Sequence, residues 1–165
     1  MSLRTRVALI MLVIAVAATT AVAALAVEIT STMLTRAADN AVLRVANIPR
    51  LAQRLAQPNT PRAVRAVVPA DTSVQVEQGS SDPVLLWGDQ SVPVPAWVQG
   101  RAGTGPVFFD ATVDSTTYRA VATIEADGSL VVVSKDMSVA QSVIADLIRQ
   151  LIVVGVVVAL VAGAV

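Results

Sequence analysis

The stretch TYRAVATIEADGSLVVVSK, residues 117–135, decides the fold class. Two runs rich in β-branched residues, Thr117 to Glu125 and Leu130 to Lys135, flank Asp127-Gly128. An Asp-Gly pair between alternating runs is a strong local signal for a β-hairpin, because Gly accepts the positive φ that such turns require. The alternation predicts Val132 and either Ile124 or Val121 as core residues.

Working back from the hairpin, Val107 to Val113 reads as a further strand. Ser91 to Gly105 is rich in Pro and Gly and reads mostly as loop, with room for one helical turn around Trp97. Val84 to Trp87 is a short apolar strand closed by Gly88-Asp89, and Gly79-Ser80-Ser81-Asp82-Pro83 is the turn before it. Thr72 to Gln78 alternates, with Val74 and Val76 on one face. About five strands result, and their short connections leave no room for crossover helices, so antiparallel pairing is expected.

Upstream of the strands the period becomes helical. Leu34, Ala38, Ala41, Val45, Ile48, Ala52 and Leu55 form a heptad seam, with Arg36, Asp39, Arg44, Arg50 and Arg54 off it. The seam suits either a parallel helix pair across a dimer or packing on the domain's own sheet. Pro49 is expected to kink this helix, and Pro58-Asn59-Thr60-Pro61 to end it by Gln57. Further back, Arg4 and Arg6 precede twenty-one uncharged residues, Val7 to Val27. That length matches a spanning helix held with its N-terminus in the cytoplasm. Ala21-Val22-Ala23 and Ala24-Leu25-Ala26 would also serve as cleavage signatures, but the apolar core of a signal peptide is normally only about 7–15 residues.

Forward of the hairpin, Ser138-Val139-Ala140-Gln141 has the form of a capping box. No Pro or Gly interrupts Val139 to Val154, and the fifteen residues from Leu151 to Val165 are all apolar. They rise about 22 Å against a hydrocarbon core about 30 Å thick. The expectation is a second transmembrane helix whose far flank lies beyond Val165. Gly155, Ala159 and Gly163 would line one smooth face of it, a spacing that permits close helix approach in lipid and that an Ala/Gly/Val-rich sequence also produces by chance.

The residue types narrow the chemistry. The chain has no Cys and no His, which removes disulfides, thiolate metal sites and the commonest general base. The net charge is zero, giving no case for a nucleic-acid partner. Glu28 to Arg65 carries six Arg against two carboxylates, whereas Ala66 to Gln150 carries four cations against ten. The aromatics Trp87, Trp97, Phe108, Phe109 and Tyr118 could line a pocket or fill the core. Asp71, Asp82, Asp89, Asp110 and Asp114 are scattered rather than spaced for a cation. Gly100 to Gly105 lacks dinucleotide-binding spacing and reads as loop. No catalytic, cofactor-binding or metal-ligating residue is assigned.

Three stretches together resemble the input half of bacterial two-component sensor histidine kinases. Ser2-Leu3-Arg4-Thr5-Arg6-Val7 is similar to the opening of their first span. Tyr118-Arg119-Ala120-Val121-Ala122 through Asp127-Gly128-Ser129-Leu130-Val131-Val132-Val133-Ser134-Lys135 resembles the last hairpin of their sensor domain, and Ser138 to Val165 their exit helix and second span. The resemblance implies an α/β fold: two transmembrane helices flanking a PAS-like extracytoplasmic domain, with a long N-terminal helix on a roughly five-stranded antiparallel sheet. Residues 1–6 would be cytoplasmic, 7–27 the first transmembrane helix, 28–150 the extracytoplasmic sensor domain and 151–165 the second transmembrane helix. It further implies a multi-pass cell-membrane protein that contacts lipid and forms a homodimer. A kinase module outside this chain would use ATP and Mg and address a cognate response regulator. No HAMP proline-glutamate signature, H-box or glycine-rich ATP lid matches any residue. A chemoreceptor or cyclase could carry the same input region, and a membrane-anchored surface protein without a signalling role is the third reading.

Overall fold

In a computed structural model the described residues are 3–57, 68–78 and 82–163. The expected breaker cluster Pro58-Asn59-Thr60-Pro61, and Gly79, Ser80 and Ser81 of the expected turn, lie outside them. The chain divides into two units, Met1–Leu34 with Val139–Val165, and Thr35–Ser138.

The first unit consists of helical segments. Helix α1 covers Leu3–Ala46, 44 residues without Gly or Pro. Its most apolar eighteen-residue window has a mean hydropathy of 2.6, and none of that window is buried. Thr19 and Thr20 donate their hydroxyls to the carbonyls of Ala15 and Val16, both at 2.8 Å. That back-bonding satisfies the polar side chains of an otherwise apolar run. The last helix, Ser138–Gly163, is likewise unburied over its apolar window, with mean hydropathy 2.3. Both helices are long and apolar enough to cross a membrane. A Cβ added at Gly155 would meet nothing within 4 Å.

In the second unit, α1 stops at Ala46 instead of kinking at Pro49. The residue before a proline is driven out of the α region, and here that residue is Ile48. The Ile48 N–H donates to the Val45 carbonyl at 3.0 Å, which tightens the last turn. Arg50 then adopts a left-handed conformation, φ 54° and ψ 42°, and reverses the chain into the short helix α2, Leu51–Leu55.

Five strands follow: β1 Thr72–Glu77, β2 Val84–Trp87, β3 Val107–Val113, β4 Thr116–Ile124 and β5 Leu130–Asp136. They form one sheet in the order β2-β1-β5-β4-β3, and every neighbouring pair is antiparallel. The β4–β5 turn closes through Glu125 N–H to the Ser129 carbonyl, giving a three-residue loop with Gly128 at φ 83°. Helix α3, Ala96–Ala102, takes seven residues of the Ser91–Gly105 stretch, where one helical turn around Trp97 was expected within a loop. The last helix is α4.

The register explains the core. Val133 of β5 faces Val74 of β1 and Val121 of β4, all fully buried. With Val76 and Val131 they take Val42 and Val45 of α1 and Leu51 and Leu55 of α2 onto one face. The heptad seam is therefore used on the domain's own sheet. It selected Ala41, which is only half-buried, and passed over Val42, which is fully buried. The other face carries Val132, Ala120, Ala122 and Phe109 against Val92 and Val98. A sheet covered on both faces needs no alternation in its central strand, hence the unbroken Leu130–Val133 run. Each such Val removed from water contributes about 1.5–3 kcal/mol.

Candidate functional site

Two features of the Thr35–Ser138 unit carry chemistry beyond packing: an ion-paired arginine under α1, and a groove at the α1–α2 corner.

Arg119 projects from the same face of β4 as Val121, toward α1. Its Nε donates to Asp39 Oδ1 at 2.6 Å and its Nη2 to Asp39 Oδ2 at 3.3 Å. Nη1 donates to Asp110 Oδ1 at 3.0 Å, across the β3–β4 register that pairs the two residues. The guanidinium carbon lies 5.6 Å from the Phe108 ring centroid, within cation–π range. Hydrogen bonding to Asp39 comes first among the causes that hold the Arg119 pKa above its ordinary value, working against partial burial. The side chains are only 17% and 27% exposed, so water screens the Arg119–Asp39 pair less than a surface pair. The bidentate geometry fixes direction as well as distance. Helix α1 is thereby pinned to the sheet at one defined azimuth.

At the C-terminal end of β5, where Lys135 pairs with Arg119 in register, the chain passes into α4 with Met137 as the single intervening residue. Asp136 Oδ1 accepts the Ser138 N–H at 2.7 Å. The helix start is thus capped by Asp136; the expected Ser138–Gln141 capping box does not form. The Met137 N–H donates to the Thr117 carbonyl at 3.0 Å, and Lys135 pairs with Asp71. Burial, then Asp136 and Asp114, push the Tyr118 phenol upward.

The groove has a volume of about 970 Å³, the upper end of the range usual for small-molecule sites. Val76, Val84 and Leu86 give it apolar lining, and Arg50, Glu125 and Asp127 line it as well. The Ala52 N–H reaches Glu125 Oε1 at 3.4 Å, which sets the β4–β5 turn against α2. Asp127 Oδ1 accepts from Ser129 Oγ at 2.6 Å and from the Ser129 N–H at 3.0 Å. Those bonds lower its pKa.

The aromatics do not gather here: Trp87, Trp97, Phe108, Phe109 and Tyr118 are all absent from the groove lining. Phe109 is core, Trp97 is 51% exposed beside Arg101, and the other three are half-buried. Among the described residues no group of three or more carboxylates could hold a metal ion. Sequence reading missed Arg119 and Asp39, though Arg119 shares the inward phase of Val121, and a cation at a core-facing position demands an acidic partner.

Comparison of the chain with protein-family models, with curated proteins and with solved structures finds no match in any of the three.

Proposed function

We propose that this chain is the signal-sensing input region of a membrane-bound sensor histidine kinase. Its sheet unit is a PAS-like extracytoplasmic sensor, carried as a homodimer in the cell membrane. The observation that carries the reading is the placement of the sheet in the chain. One unbroken helix leads from a membrane-length apolar run into the core of the sheet unit, and a second membrane-length helix starts two residues after the last strand. A long helix laid on a five-stranded antiparallel sheet is also the architecture the sequence resemblance implies.

The mechanism follows from those connections. A stimulus shifts the sensor between two arrangements only by its differential free energy for them. Arg119 ties the sheet to α1 through Asp39, and Asp136 ties β5 to the start of α4. A rearrangement of the strands then moves the two helices by different amounts, and shifts of about 1–2 Å are the usual scale for packed helices. The kinase half of the reading rests on the resemblance of the hairpin and the spans; ATP, Mg and a response regulator belong to that module.

A fusion tests it. The chain is joined after Val165 to the HAMP and kinase portion of a characterised sensor, with zero to four alanines inserted at the joint. Each added residue turns the output by about 100°. Autophosphorylation that rises and falls with helical phase is the expected result. Activity indifferent to the inserted number contradicts transmission through α4.

A further inference from the structure

Arg50 stands where glycine would be the ordinary choice. It is the turning residue between α1 and α2, in the left-handed region at φ 54°, which strains any residue with a Cβ. A chain that needs only the reversal there is better served by Gly. Backbone strain of this kind clusters at ligand clamps. The Arg50 side chain lines the groove, and among the described residues it makes no ion pair. The same groove is lined by Asp127 and by Glu125, whose carboxylate takes only the long bond from the Ala52 N–H among the described residues.

We infer that the groove binds a zwitterionic ligand of the α-amino-acid type, with its carboxylate on Arg50, its ammonium on Glu125 and Asp127, and an apolar side chain on Val76, Val84 and Leu86. The pattern of charges selects this class. A cation, two carboxylates and apolar side chains lining one groove leave an unpaired group with a purely anionic or purely cationic ligand, and a neutral one satisfies neither side. The volume also admits a dipeptide with free termini, which presents the same two end charges. The inference rests on reading the sheet unit as the sensing part.

The test uses the whole chain in lipid nanodiscs and isothermal titration calorimetry. Its probes are L-leucine, L-isoleucine, L-methionine and Leu-Leu. At least one probe is expected to bind saturably with Kd below about 1 mM. If leucine is the binder, leucine amide lacks the carboxylate, N-acetylleucine lacks the ammonium, and each should bind about 10–100-fold more weakly. Leu-Leu against leucine separates a peptide from a free amino acid. Arg50→Gly should lose the same factor while the ligand-free protein melts at the wild-type temperature or above it. Glu125→Gln keeps an acceptor for Ala52 and should also weaken binding. No saturable binding by any probe, equal binding of the truncated analogues, or full affinity in Arg50→Gly would each overturn the inference. Binding is read without reference to topology or kinase output, so its failure is distinct from failure of the sensor reading.

Discussion

Arg119 on β4 and Asp39 on α1 are 80 residues apart in sequence and joined by two hydrogen bonds, of 2.6 and 3.3 Å. The pair converts a helix lying on a sheet into a helix held at one rotation. Apolar contacts alone, Val42 and Val45 over Val74, Val121 and Val133, would tolerate a small slide or twist. The ion pair removes that freedom.

Asp39→Ala leaves a partly buried guanidinium with Asp110 alone. We expect a loss of about 1–3 kcal/mol in stability. A double-mutant cycle of Asp39→Ala with Arg119→Met, read from thermal melts, should give a coupling of about 1–2 kcal/mol. A coupling near zero would mean that the pair does not hold the helix.

Val133 on β5 is fully buried, whereas Ile124, at the end of β4 in the same hairpin, is 42% exposed. Val133→Asp should cost several kcal/mol, because it places an unpaired charge between α1 and the sheet. Ile124→Asp should change the melting temperature little. Equal effects would contradict the register.

The β3–β4 turn places two non-glycine residues at positive φ, Asp114 at 48° and Ser115 at 69°. Such two-residue turns favour Gly at the second position. Ser115→Gly should therefore raise stability by about 1 kcal/mol, measured by denaturant unfolding.

Asp127 has its pKa lowered by the Ser129 hydroxyl and the Ser129 N–H. A carboxyl whose folded pKa lies below the unfolded one contributes stability that is complete above the unfolded value, about 3.9. That contribution is lost as the pH falls through the lower folded value. Ser129→Ala removes one donor and should move the Asp127 titration, followed by carboxyl NMR, upward.

Much of the sheet was legible because its strands sit between turns with their own chemistry. Asp127-Gly128 marked one hairpin, and the breakers Gly88-Asp89 and Asp82-Pro83 bounded β2. The phase of Val74 and Val76 was readable for the same reason: a period of two leaves no choice of face. The helix face was less legible, since a seven-residue repeat drifts against 3.6 residues per turn and slid from Val42 to Ala41. The end of α1 was misplaced because Pro49 acts on the residue before it, and the reversal at Arg50 breaks a helix that a kink would have continued. Ser138 and Gln141 had the form of a cap, but Asp136, presented by the end of β5, takes that role. The candidate site was not legible. Arg50, Glu125 and Asp127 come together only once α2 and the β4–β5 turn meet, and no local pattern encodes that meeting.

In the proposed topology the folded sheet domain lies outside the cytoplasm, between two membrane spans. This topology is tested most directly by two reporter fusions in the same cell type, one inserted at Asp89 in the β2–α3 connection and one joined after Val165. Alkaline phosphatase, active only outside the cytoplasm, and a fluorescent protein that matures only inside it give opposite readings. The expected result is phosphatase activity without fluorescence at Asp89, and fluorescence without phosphatase activity after Val165. The same compartment for both sites would contradict it.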